Sequence, residues 1–358
     1  MTTTIFEREL RIAVLLGGVS REREISFLSG EGVIGALKGL GHTVFAVVID
    51  EERIPLIQNL DVDVAFIALH GRYGEDGGVQ GELERLGIPY TGPGPAASWK
   101  AMDKLLSKKA FAERGIPTPP FLGFFRPFEA RTIVDHVEGE FGYPVVVKPA
   151  REGSSIGVTI AEDRSKLEEG LRILESIGGA VLVERYIEGR ELTVGILGGR
   201  ALPIIELRTE RRFFDFEAKY VGGTEYILNP ELPVDLYGEI QETAFQAHRA
   251  LGCEGLSRVD LILSREGRPF ILEVNTIPGL TPKSLLPKAA RTAGLSFETL
   301  CERIVDEALK RARKRHSACP AEGRQAPRGL GRREPDDAAP ERVSRRKPSL
   351  AATAREAG

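Results

Sequence analysis

Apolar residues run unbroken from Ile12 to Leu16 and stop at the Gly17-Gly18 pair. A short apolar run closed by turn residues predicts a buried strand over Arg11 to Leu16. Val33, Ala36, Leu37 and Leu40 then recur at helical spacing and predict one apolar stripe, with Gly41 placed to stop the helix. Thr43 to Ile49 and Val64 to Leu69 read as two further strands. Strand, helix and strand in this rhythm predict a parallel sheet with helices on its faces.

The Pro/Gly run from Thr91 to Pro95 marks a boundary. A helix carrying Lys104, Lys108 and Lys109 follows and ends near Gly115, before Pro117, Pro119 and Pro120. Strands recur at Val145 to Lys148, Val158 to Ile160 and Val181 to Glu184, with a helix between the last two. From Glu191 the pattern turns strand-rich: Leu192 to Leu197, Ala201 to Leu207, Val259 to Leu263 and Phe270 to Asn275, interrupted by a helix around Tyr237 to Leu251. Arg211 to Glu225 is charged, aromatic and aperiodic, and reads as a long functional loop. A last helix spans roughly Ser296 to Arg311. Beyond Ala312, Arg, Pro, Ala, Gly and Glu dominate, so 312–358 reads as a disordered basic tail. The expected division is 1–95 as an N-terminal α/β substrate domain, 96–187 as a central unit, and 188–311 as a C-terminal unit.

A length of 358 residues exceeds what one core usually organises, consistent with that division. The net charge of -3 gives no global reason to expect nucleic acid or a membrane as partner. Cys253, Cys301 and Cys319 are odd in number and widely spaced, which argues against a disulfide framework or a zinc site and fits a reducing cytoplasm. The Ile12 to Leu16 run is too short for a signal core or a membrane span.

The chemistry concentrates in two places. Arg258 and Asp260 share one strand face, as do Glu273 and Asn275. If these strands pair as a hairpin across Ser264 to Pro269, one patch gathers two carboxylates, an amide and a guanidinium. Such hard oxygen donors suit magnesium shared with nucleotide phosphates; the alternative is an exposed strand face with scattered charges. Earlier, Lys148 ends a strand and precedes Glu152-Gly153-Ser154-Ser155-Ile156-Gly157. Small residues there let backbone N–H groups approach phosphate, with the lysine as a point charge. A plain β-turn is the other reading, and the Walker A pattern is absent. Val183 to Ile187 reads as a strand running into a linker, an edge suited to adenine or ribose.

Lys104, Lys148, the Gly/Ser loop, Glu184, Asp260, Glu273 and Asn275 occur in an order that resembles the ATP-grasp superfamily. Within it the chain is similar to the D-alanine–D-alanine ligase family. The carrying motifs are Leu16 to Ser26, His70-Gly71-Arg72-Tyr73-Gly74-Glu75-Asp76-Gly77, Lys148-Pro149 with the Gly/Ser loop, Phe216 to Tyr220, Ser257 to Asp260, Glu273 to Gly279, and Ser284-Leu285. They cover about Arg11 to Arg311. The resemblance implies an α/β, three-domain ATP-grasp fold with an N-terminal parallel-sheet domain before the grasp. The implied enzyme joins two D-alanines through a D-alanyl phosphate, using ATP and two Mg²⁺ ions, with Mn²⁺ as a substitute, and works as a cytoplasmic homodimer.

Roles follow from the same resemblance. Glu22 would hold the amino group of the first D-alanine, with Ser154 and Tyr220 as its hydrogen-bonded partners. His70 would lie near that substrate. Lys104, Lys148 and Lys219 would meet the nucleotide phosphates, Glu184 and Glu191 its adenine and ribose, and Glu152 and Ser155 would also bind ATP. Asp260, Glu273 and Asn275 would hold metal. Arg258, with backbone N–H groups near Gly279, would stabilise an oxyanion, and Ser284 and Leu285 would position the second D-alanine. The loop Phe213 to Tyr220 would be a lid. Taken alone, His70 reads equally as a satisfied histidine at a strand end, and Glu22 as simple helix-end stabilisation. A ligase forming D-alanyl-D-lactate or D-alanyl-D-serine is the nearest alternative, and Tyr220 favours D-alanine. Another ATP-grasp carboxylate–amine ligase is the next.

Overall fold

The computed structural model describes residues 5–54, 60–209 and 224–318. Its first sheet has the order β2-β1-β3, all parallel, with β1 at Arg11–Gly17, β2 at Thr43–Ile49 and β3 at Val64–Ile67. Helix α1, Arg23–Gly39, lays Val33, Ala36 and Leu37 on this sheet, as the apolar stripe predicts. The β1–α1 turn is tight: Gly17 and Gly18 both have φ of 92°, and a Cβ on Gly17 would sit 2.9 Å from the Ile49 carbonyl oxygen. Ser26 stitches the helix down, accepting from Gly17 N at 2.9 Å and donating to Ala68 O at 2.8 Å.

Helices α2 (Gly78–Leu86), α3 (Pro95–Met102) and α4 (Lys104–Glu113) follow. Sequence periodicity misses α2 and α3, which are short and begin at glycine or proline. Asp103 caps α4 by accepting from Leu105 N and Leu106 N. Although α4 precedes the second sheet in the chain, Ala97, Ala101, Phe111 and Ile116 pack in the core of the third.

The second sheet, order β4-β7-β5-β6, is antiparallel: β4 Phe121–Phe124, β5 Val145–Pro149, β6 Thr159–Ala161 and β7 Val181–Arg185. Helices α5 (Ala130–Glu140) and α6 (Arg164–Ile177) cover one face. The third sheet comprises β8 (Gly189–Leu197), β9 (Arg200–Ala201), β10 (Ile205–Thr209), β11 (Thr224–Leu228), β12 (Leu256–Ser264) and β13 (Pro269–Asn275), with β8 at its centre. The single strand expected over Ala201 to Leu207 is thus two. The expected loop gives up Thr224 and Glu225 to β11, which pairs with β10. Helix α7, Val234–Ala250, backs this sheet.

Helices α8 (Leu285–Thr292) and α9 (Phe297–Ala318) share one core with α1 and the first sheet. Helix α9 overruns the expected start of the tail at 312. Arg311 and Arg315, one turn apart, supply the reason. Arg311 donates to the carbonyls of Gly92 and Tyr90, and Arg315 pairs with Glu84. Those contacts anchor the last turns despite a composition poor in large apolar residues. The remainder of the tail lies outside the described residues.

Candidate active site

The two strands that carry the charged patch pair directly. Arg258 faces Asn275 and Asp260 faces Glu273 across β12 and β13, with a register shift after Asp260. Asp260 accepts from Arg258 Nε at 2.9 Å and Nη2 at 2.7 Å, from Thr193 Oγ1 at 2.6 Å, and from Asn275 Nδ2 at 3.0 Å. Thr193 comes from β8, on the other side of β12. Burial opposes a charge on Arg258, but Asp260 outweighs it and holds the guanidinium firmly protonated, above its ordinary value. Of the two sequence readings, the patch is therefore a bonded cluster and not an exposed face of scattered charges.

Glu273 is reached from the second segment. Lys104 Nζ lies 3.1 Å from Glu273 Oε2 and donates to Glu152 O at 2.8 Å. The Asp103 cap, itself paired with Arg151 at 2.8 Å, sets Lys104 in the first turn of α4. Lys148, at the end of β5, donates to Glu184 on the neighbouring β7. Glu184 is buried, and Lys108 Nζ approaches its other oxygen at 2.6 Å. Burial works against its charge, yet the two lysines hold Glu184 below the usual carboxylate range. Sequence reasoning noted Lys108 only as part of a helix; its spacing of four from Lys104 was the available signal.

The Gly/Ser loop after β5 bends sharply. Ser154 and Ser155 take φ values of 50° and 58°, in the left-handed region that few side chains accept. This turn brings Ser154 Oγ to Glu22 Oε1 at 2.5 Å, across 132 residues of chain. Glu22 occupies the cap position of α1 without making a side-chain cap bond. Its carboxylate is thus committed to a distant partner, not to the helix end.

His70 is buried with both ring nitrogens engaged. Nδ1 lies 3.1 Å from Ile277 O and Nε2 3.1 Å from Ser29 Oγ. A carbonyl only accepts, so Nδ1 donates to Ile277 O. His70 joins β3, α1 and the 277–280 loop, and also lines the cavity beside Glu22. Glu75, not singled out by sequence reasoning, lines the same cavity. Burial and the nearby Glu22 raise it above the ordinary carboxylate range against the opposing pull of His70. Ser284 precedes α8, and its Oγ accepts from Thr281 N at 3.1 Å. A Cβ on Gly279 would lie 2.8 Å from that oxygen, so Gly279 leaves room for it.

These residues line two adjoining clefts. One holds Lys104, Lys148, Glu152, Ser155, Glu184, Glu191 and Asp260. The other holds Glu22, His70, Ser154, Arg258, Asn275, Gly279 and Ser284. Gly153, Glu273 and Leu285 line both. Lys219, Tyr220 and the expected lid lie outside the described residues. Among the described residues no three His, Cys, Asp or Glu side chains form a metal cluster, so any cation here relies on two carboxylates and the Asn275 amide. That oxygen-only donor set, on one strand pair, fits a hard divalent cation.

A family model described as D-ala D-ala ligase C-terminus matches residues 110–306, and one described as D-ala D-ala ligase N-terminus matches residues 55–93. A protein of Geobacter sulfurreducens named D-alanine--D-alanine ligase is 46% identical over 297 residues, which are 82% of this chain and 93% of that protein. One of the same name from Anaeromyxobacter sp. (strain Fw109-5) is 46% identical over 303 residues, 84% of this chain and 98% of its own. The chain belongs to the D-alanine–D-alanine ligase family. It is an ATP-dependent ligase with an ATP-grasp fold. The solved D-alanine–D-alanine ligase of Bacillus anthracis complexed with ATP superposes with a TM-score of 0.75 at 34% identity, covering 86% of this chain and 99% of that one. Among the described residues no helix is long and apolar enough to cross a membrane.

Proposed function

We propose that this ligase joins two D-alanine molecules through a D-alanyl phosphate, releasing ADP and phosphate, in the cytoplasmic synthesis of peptidoglycan precursors. The observation that carries the reading is the meeting of two clefts at Glu273, Gly153 and Leu285, one rich in phosphate-binding groups and the other carrying Glu22 and Arg258. The names of the relatives support D-alanine as both substrates over the D-lactate and D-serine alternatives.

In this reading Glu22, oriented by Ser154, grips the ammonium of the first D-alanine. A carboxylate oxygen of that substrate attacks the γ-phosphorus of ATP and ADP leaves. The amine of the second D-alanine, positioned by Ser284 and Leu285, attacks the acyl carbon. Phosphate departs with the carboxylate oxygen, and the amine gives up a proton. Arg258 and backbone N–H groups near Gly279 stabilise the oxyanion between these events. Lys104 and Lys148 hold the phosphates, Glu184 and Glu191 take the adenine and ribose, and Glu152 and Ser155 of the loop line the same nucleotide cleft. Lys219 and Tyr220 complete the set from the lid. Asp260, Glu273 and Asn275 would hold two Mg²⁺ ions, which when bound neutralise charge on the phosphate oxygens.

The three sheets, confined to 11–67, 121–185 and 189–275, support dividing the chain at about 95/96 and 187/188 into three parts. The family likeness implies a homodimer, which sedimentation of the purified protein tests. Phosphate release with ATP, magnesium and D-alanine, against the same assay with other amino acids, tests the reaction. Adding D-lactate as acceptor at neutral and lower pH tests the alternative: D-alanyl-D-lactate as main product at neutral pH would replace the dipeptide reading.

A further inference from the structure

Lys108 is fully buried and lines neither cleft, yet its ammonium lies 2.6 Å from Glu184 Oε2. Lys148 donates to the other oxygen, Oε1. Of these three side chains, only Glu184 and Lys148 face the nucleotide cleft. Lys108 is anchored from behind. Its Nζ donates to Thr118 Oγ1 at 2.8 Å, and Thr118 donates in turn to the Ile271 carbonyl at 2.8 Å. Ile271 stands on β13, two residues from Glu273.

One lysine is enough to neutralise a buried carboxylate, and a second buried cation costs solvation. Burial lowers Lys108 to about 8, with Glu184 opposing the shift and Lys148 adding to it. A second cation is useful if the first must leave. We propose that Lys108 is a positioning residue for nucleotide binding, keeping a counterion on Glu184 so that Lys148 can exchange that carboxylate for a phosphate. The proposal rests on the ATP reading of this cleft.

A lysine that grips phosphate must first release its partner in the free protein. Were Lys148 the only cation on Glu184, its departure would strand a carboxylate that is 2% exposed, and breaking a buried pair from one side is strongly unfavourable. With Lys108 fixed by Thr118, Glu184 keeps its charge partner, and Oε1 becomes free to accept a hydrogen bond from the nucleotide base.

Mg-ADP and adenosine, which differ in the phosphates, separate this role from simple packing. Both are titrated into the full-length protein, adenosine in competition with ADP, for wild type, Lys108→Met and the double variant Lys108→Met/Glu184→Gln. Lys108→Met should weaken ADP by about tenfold or more while adenosine changes by less than about twofold. The KM for ATP should rise in step, with kcat at saturating ATP within about threefold of wild type. A purely structural role would reduce the active fraction, and so kcat, without moving KM. Adding Glu184→Gln frees Lys148 and should restore the ADP-to-adenosine affinity ratio to at least the wild-type value. If Lys108→Met does not fold, the double variant, whose buried pair is neutral, still decides: a ratio at or above wild type supports the proposal, and a lower ratio overturns it. Unchanged ADP affinity in Lys108→Met, or equal loss of ADP and adenosine, also overturns it. Failure of wild type to bind ADP would overturn the ATP reading itself, and this proposal with it.

Discussion

Arg258 is held on Asp260 by two hydrogen bonds, so its guanidinium is fixed before any substrate arrives. A fixed cation stabilises developing charge without reorganising. Arg258→Ala should raise the barrier by about 3–4 kcal/mol, abolishing most turnover while ADP still binds in a titration; near-normal turnover would remove the oxyanion role. Ser154→Ala should raise the KM for the first D-alanine by about tenfold, from loss of a bond to a charged group. An unchanged KM would leave the Ser154–Glu22 contact without function. His248 carries a pH prediction. It is buried on α7, 2.7 Å from Ser257 Oγ, and burial lowers it to about 4 from its usual 6.5. The unfolded chain therefore takes up a proton first as pH falls. The stability this gives is present above 6.5 and is lost as pH drops from 6.5 towards 4, by up to about 3 kcal/mol. His248→Gln should flatten that part of the denaturation profile; an identical slope in the variant would contradict it.

The elements were legible where one period dominates. Arg11–Gly17, Thr43–Ile49 and the α1 stripe follow directly from apolar spacing, as do the strands β12 and β13, whereas their pairing and the facing of Asp260 and Glu273 come from the structure. Helices α2, α3, α5 and α8 escaped because 8 to 11 residues carry too few turns to establish a period. The candidate site residues were named through motif order, since no local pattern brings Ser154 to Glu22; neither pattern nor motif order put Lys108 beneath Glu184. Close packing between elements left a mark in glycine. A Cβ on Gly30 of α1 would stand 2.7 Å from Leu16 Cβ on β1. Gly30→Ala should lower stability by about 1–3 kcal/mol through overpacking, read as a shift in denaturant midpoint. An unshifted midpoint would mean that the helix can move away from the sheet at little cost.

On the scale of the molecule, the site depends on contacts between segments distant in the chain. Glu22 comes from the first sheet's helix, Lys104 and Ser154 from the middle of the chain, and Arg258 from the third sheet. The core that includes α1, α8 and α9 ties the first of these to the last. Arg311, donating to Tyr90 O at 2.6 Å and to Gly92 O, clamps the end of α9 onto the first segment. Arg311→Ala should cost about 1.5–3 kcal/mol from lost charged hydrogen bonds, seen as a lower melting temperature. Motif order and apolar period foreshadowed the architecture, but not this clamp, because a basic, apolar-poor stretch reads as tail when its partners lie more than 200 residues away. The central claim is that phosphate passes from ATP to a D-alanine carboxylate before the new bond forms. It is tested by running the reaction with D-alanine labelled with ¹⁸O in its carboxylate and weighing the phosphate released. One labelled oxygen in each phosphate is the predicted result; phosphate free of the label, formed alongside dipeptide, would contradict it.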